Sequence, residues 1–187
     1  PRESGFIVTS NNQATGLLPR IADVQETITP IEGSWNVYFD PRWGGPGKVV
    51  FDELIDWTVH ADTGIRYYSG TVVYHKELNL AMPAQNERLL LRFPRLGSLA
   101  RVWVNGKEVV TVWCSPWEAD ITSYVHEGKN NLKIEVVNSL MNRMIGDASL
   151  PESERFTYAY PQIATPTDKL VPSGIMEQLN LVYRQCQ

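Results

Sequence analysis

Apolar residues recur at every second position in several short stretches of the chain, which is the period of a strand with one buried face. In residues 69–80, SGTVVYHKELNL, Val72, Tyr74, Leu78 and Leu80 share one face, while Thr71, His75, Glu77 and Asn79 share the other. ERLLLRF sets Leu89, Leu91 and Phe93 against Arg88 and Arg92, and LARVWV sets Ala100, Val102 and Val104 against Leu99, Arg101 and Trp103. Asn105-Gly106 follows at once. Such a pair supplies the two positive-φ positions of a type I′ hairpin turn, so residues 107–113 are predicted to run back antiparallel. Residues 128–131, GKNN, read as a second turn leading into LKIEVV, whose Leu132, Ile134 and Val136 point inward, and Leu179, Leu181 and Tyr183 repeat the pattern. Strands are therefore predicted over 34–40, 70–80, 88–94, 99–105, 107–113, 131–138 and 177–184. No long stretch has a 3.6-residue period. Short strands at roughly ten-residue spacing, with turn chemistry between them, predict an all-β sandwich.

Two segments stand outside this pattern. Residues 1–30 hold only weak apolar clusters and read as an N-terminal arm on the sandwich or a linker, with residues 31–187 as a single β-sandwich domain. Residues 138–173, NSLMNRMIGDASLPESERFTYAYPQIATPTDKLVPS, carry prolines at 151, 161, 166 and 172 and no sustained periodicity. A compact domain seldom tolerates a loop beyond about 15 residues unless it is functional or disordered, and Phe156, Tyr158 and Tyr160 argue against disorder. This loop is the first place to look for a site.

Composition narrows the classes of function. The 187 residues, 43% hydrophobic and 10% aromatic, suffice for the core of one globular domain. Seventeen basic residues are dispersed among 21 acidic ones for a net charge of −4, which leaves no Lys/Arg cluster to neutralise phosphates and argues against nucleic acid as a partner. No apolar run approaches the ~20 residues of a membrane span, the first residues do not form a signal peptide, and a start without Met reads as an excised or processed fragment. Cys114 and Cys186 form no disulfide framework or metal pattern and read as free thiols; His60, His75 and His126 are too scattered for a zinc site.

Six tryptophans, Trp35, Trp43, Trp57, Trp103, Trp113 and Trp117, are each a candidate sugar-stacking platform, although a sandwich core is the commoner use of so large a side chain. Trp103 lies opposite the inward Val102 and Val104, and Trp117 follows a proline in a loop, so these two are the candidates for contact with carbohydrate. Asp52, Glu53 and Asp56 form one acidic group and Glu118 and Asp120 another; a pair of glycosidase carboxylates is the sharper reading. The plainer one is that Asp56-Trp57-Thr58 and Asp120-Ile121-Thr122 are turns whose Asp side chains accept backbone N–H bonds. Structural calcium is compatible with a jelly roll, but no Asp-x-Asp-x-Asp-Gly run is present.

SGTVVYHKELNL, VWVNGKEV, Trp113 with Pro116-Trp117, Asp120-Ile121-Thr122, the Gly128 turn, Val137-Asn138 and Ser173-Gly174 occur in an order that resembles the N-terminal sugar-binding jelly roll, galactose-binding-like, of family 2 glycoside hydrolases. NRMIGD at 142–147 and GSWNVYFDPRWGGP upstream are similar to the related sandwich of family 106 α-L-rhamnosidase-type enzymes. The resemblance covers roughly residues 31–183 and departs from the family at Ile175-Met176-Glu177-Gln178. It implies a non-catalytic accessory domain of a bacterial, periplasmic or secreted hydrolase, whose carboxylates lie on a separate (β/α)₈ barrel. Its partners would be carbohydrate and the other domains of the same polypeptide. By motif, Asn138, Asn142 and Asp147 correspond to residues that reach the sugar in some members, with Arg143 as a carboxylate or hydroxyl partner. The alternatives are an independent carbohydrate-binding module, which needs aromatics aligned on one face, and a purely structural interdomain module. At the residue level, Asn138 and Asp147 could equally cap turns while Arg143 pairs locally.

Overall fold

A computed structural model describes residues 25–159 and 163–185. The described residues form twelve strands: β1 (Glu26–Pro30), β2 (Trp35–Phe39), β3 (Gly47–Phe51), β4 (Thr71–Leu80), β5 (Glu87–Arg92), β6 (Leu96–Gly97), β7 (Leu99–Val104), β8 (Lys107–Val112), β9 (Glu118–Asp120), β10 (Gly128–Val137), β11 (Gly174–Ile175) and β12 (Asn180–Gln185). A six-stranded sheet in the order β3-β2-β4-β10-β7-β8 faces a four-stranded sheet in the order β1-β12-β5-β9, and β11 pairs with β6 at the margin. All these pairings are antiparallel. The predicted sandwich is the observed fold.

Period-two alternation puts the expected side chains inside. Val72, Tyr74, Leu89, Leu91, Ala100, Val102, Leu132, Ile134 and Val136 are all buried in one continuous core between the sheets. Asn105 and Gly106 have φ of 52° and 77°, as a type I′ turn requires, and join β7 to β8. An aromatic cluster fills one end of the core, where Phe39 meets Tyr68 and Trp57 edge-on at centroid distances of 5.1 and 5.3 Å. The buried Trp57 Nε1–H donates to Tyr74 Oη at 2.7 Å, so neither polar group is left without a partner. Gly174, at φ 92°, lies flat against this indole; any Cβ there would overlap the Trp57 ring.

Several boundaries differ from the sequence expectation. The four-stranded sheet begins before residue 31, because Glu26–Pro30 pairs with residues 180–184 of β12. All five residues of β1 are exposed, so it has no apolar alternation to read. Residues 128–131 are the first part of β10, paired with residues 77–80, and the turn they seemed to form lies just ahead of them. Asn130 closes that turn from inside: its Oδ1 accepts the His126 N–H and its Nδ2 donates to the His126 and Gly128 carbonyls. The last strand starts at Asn180 and not at 177, since Met176 N instead donates to Arg95 O and Gln178 reaches Ile31 O. Within the long loop lies a helix, α1 (Met141–Asp147), buried at Asn142, Arg143, Ile145, Gly146 and Asp147. Burial on several sides of seven residues leaves no amphipathic stripe. Tyr160, Cys186 and the first 24 residues, where most of the predicted arm lies, fall outside the described residues.

Candidate functional site

The segment after β10 is held by its own polar side chains at one end of the sandwich. Asn138 accepts the Gly70 N–H at Oδ1 and donates through Nδ2 to Tyr68 O and Ser173 Oγ. Asn142 donates to Val171 O at 2.8 Å and Ser173 Oγ at 3.1 Å, and accepts the Val171 N–H at 2.8 Å. Ser173 Oγ donates in turn to Val171 O. These bonds tie the start of the loop to its returning segment, and they use both Nδ2 protons of the buried Asn142.

One turn further along α1, Asp147 Oδ2 accepts from Phe156 N, Thr157 N and Thr157 Oγ1 at 3.0, 2.7 and 2.7 Å, pinning the returning loop to the helix. Arg143 is only 5% exposed, and its backbone N–H donates to Ser69 Oγ. Its guanidinium lies 4.8 Å from the Phe156 ring centroid, and Nη1 is 3.8 Å from Asp147 Oδ1. Burial holds the Arg143 guanidinium below the ordinary arginine range, although the nearby Asp147 charge favours the cation.

Beside this knot opens a groove of about 160 Å³ lined by Trp43, Ser69, Gly70, Asn138 and Leu140. Trp43 is 48% exposed. It is one of the six candidate stacking platforms, although not one of the two singled out, and lies in GSWNVYFDPRWGGP. Leu140, Met141, Phe156 and Tyr158 add further exposed apolar area on the same loops. A larger concavity, about 570 Å³, lies on the outer face of the six-stranded sheet between Tyr38, Lys48, Val50 and His75. No buried polar group converges there, so the loop end is the better site on chemistry despite its smaller volume.

The two tryptophans selected from sequence are not open platforms. Trp103 carries Lys133 Nζ at 3.7 Å and Arg101 Cζ at 5.6 Å from its ring, and its place opposite the core face is as expected. Trp117 packs partly buried against the core. The most exposed tryptophan is Trp113, at 69%, in the β8–β9 connection. Trp113, after the edge strand β8, and Trp43, between β2 and β3, thus lie at opposite sides of the six-stranded sheet.

The carboxylates have structural partners. Asp56 Oδ1 accepts from Thr58 N, Thr58 Oγ1 and Ser173 N, and Asp120 Oδ1 accepts from Thr122 N and Oγ1. Glu118 pairs with Arg92 and Arg184. Among the described residues, no three His, Cys, Asp or Glu side chains gather as metal ligands, and no helix is long and apolar enough to cross a membrane.

By class, the fold is a two-sheet antiparallel β-sandwich with a polar knot and an aromatic groove at its loop end. The chain belongs to the family described as glycosyl hydrolases family 2, sugar binding domain, which matches residues 21–184. It is 38% identical over 123 residues to a putative β-glucuronidase of Formosa agariphila, a match covering 65% of this chain and 11% of that protein. A rhamnosidase structure from Novosphingobium sp. PP1Y superposes with a TM-score of 0.81 at 28% identity, over 93% of this chain and 16% of the other. A Ruminococcus gnavus β-glucuronidase has the same fold at TM-score 0.60 and 22% identity, over 84% of this chain and 28% of the other. The chain therefore spans a small part of each of these relatives. It is a sugar-binding domain and not the catalytic barrel of such enzymes.

Proposed function

We propose that this domain acts within a larger glycoside hydrolase, where its loop end packs against a separate catalytic barrel and forms one wall of the sugar pocket. The observation that carries this reading is the exposed groove of Trp43, Asn138 and Leu140, whose Asn138 is held by bonds to Gly70, Tyr68 and Ser173. A rigid base lets a loop present side chains at defined positions. Trp43 offers a flat apolar face to a sugar ring, and Asn138 is the polar residue of the groove beside it. Asn142 and Asp147 act one step back, by holding the loop in shape. A periplasmic or secreted location and a carbohydrate substrate belong to the same reading, and structural calcium is no part of it.

In the natural polypeptide that carries this chain, Trp43→Ala is expected to lower kcat/KM for aryl glycosides by about tenfold, the order of one lost binding contact. The melting temperature should stay within about 2 °C, because an exposed side chain contributes little to stability. Unchanged kinetics in the folded variant would place the sugar pocket elsewhere.

A further inference from the structure

The guanidinium of Arg143 is buried with its bonding capacity unevenly used. Nη1 faces Asp147 Oδ1, and the flat face lies over Phe156, but Nε and Nη2 have no hydrogen-bond partner among the described residues. Nε and Nη2 are the two donors of one edge of the guanidinium plane, the fork that receives a planar oxyanion through two parallel bonds. Leaving such a charged edge buried and unbonded is costly, so it calls for an acceptor.

Three other arginines use the same edge to hold carboxylates. Arg42 sends Nε and Nη2 to Asp40, Arg92 sends them to Glu118 and Glu26, and Arg184 to Glu26 and Glu118. Arg92 and Arg184 each sit between two carboxylates, so the presence of Asp147 at Nη1 does not forbid a second one at the opposite edge. The edge lies near the molecular surface. A Cβ added to Gly44 would come within 3.3 Å of Nη2 and 2.9 Å of Phe156, so these two residues form the cover, and Phe156 is itself exposed in part. Trp43, the neighbour of Gly44, and Ser69, which bonds Arg143 N, line the groove next to it.

We infer that the Nε/Nη2 edge of Arg143 is a carboxylate-binding site, closed by Phe156 and reached from the Trp43 groove. The carboxylate comes either from a sugar acid or from an Asp or Glu side chain of another part of the polypeptide. The inference rests on the geometry of the guanidinium edge and deepens the role proposed above, whose groove it shares.

The test is a titration of the full chain and of its Phe156→Ala variant, following the Arg143 Nε–Hε resonance by NMR with D-glucuronate, acetate and D-glucose as probes. Arg143→Lys, which keeps the charge and removes the fork, identifies the resonance by its loss; selective unfolding of that variant leaves the titrations themselves intact. Both carboxylates should shift the signal while glucose does not, and Phe156→Ala should bind at least about fivefold more tightly than the unmodified chain, since the cover is removed. Glucuronate binding about tenfold or more tighter than acetate identifies a sugar acid as the ligand, whereas equal binding identifies a protein side chain. No shift with either carboxylate up to about 100 mM in Phe156→Ala, a range that captures even very weak binding, overturns the site. So does a response to glucose equal to that with glucuronate.

Discussion

At the scale of single residues, the four polar side chains that family resemblance singled out, Asn138, Asn142, Arg143 and Asp147, prove to be close together in space, and the structure gives most of their bonds to the loop itself. The Asp56 and Asp120 turns were legible because their bonds reach only two residues along the chain. Asn142 bonds Val171 and Ser173 across about thirty residues, a partnership that no local pattern announces. The same holds for the contact of Arg143 with Phe156. Asn142→Ala leaves the partly buried Val171 N–H without its acceptor and takes one of two donors each from the Val171 C=O and Ser173 Oγ. At about 1–3 kcal/mol for an unsatisfied group, a loss of about 2 kcal/mol is expected. Calorimetry should show a fall in Tm of roughly 4–8 °C, at 2–4 °C per kcal/mol for a domain of this size. A Tm within about 2 °C of the parent would show that the knot is not what holds the loop.

Among the secondary-structure elements, the strands with clear alternation, β2, β4, β5, β7, β8 and β12, were legible to within a few residues. The shortest strands and β1 were not, because β1 buries no side chain of its own and is held by its partners. A ring of charges supplies part of that hold: Arg92 and Arg184 both bridge Glu26 of β1 and Glu118 of β9, tying four strands together. Burial disfavours the Glu26 carboxylate, but hydrogen bonds and charge from Arg92 and Arg184 outweigh it and hold Glu26 below the ordinary glutamate range. A carboxyl whose pKa is depressed on folding stabilises the fold above its unfolded pKa, near 4.3, and loses that contribution as pH falls through the lower folded value. Glu26→Gln is therefore expected to lower Tm at neutral pH by roughly 2–4 °C, for about 1 kcal/mol from a partly exposed network. The difference from the parent should shrink toward zero in acid. Melting curves at several pH values check this, and a gap that persists unchanged into acid would assign the loss to packing.

For the whole molecule, period-two alternation and one Asn-Gly turn were enough to specify two packed antiparallel sheets, since a half-buried strand has few ways to cover its apolar face. The placement of the site at one end was foreshadowed by the long loop after β10, but its accessible aromatic was not. Exposure of Trp43 over Trp103 depends on which cations settle on each ring, and this is a property of neighbouring strands and loops. By family, this fold is an accessory sugar-binding domain and not the catalytic barrel. Its Asp56, Asp120 and Glu118 are committed to turns and ion pairs, while Asp52 and Glu53 line a separate groove with Glu177. The most direct measurement is the rate of aryl-glycoside hydrolysis by the purified 187-residue chain, over a panel that includes glucuronides and rhamnosides. The expected rate equals that of buffer alone; steady turnover that disappears on substitution of Asp52, Glu53, Asp56, Glu118 or Asp120 would contradict the account.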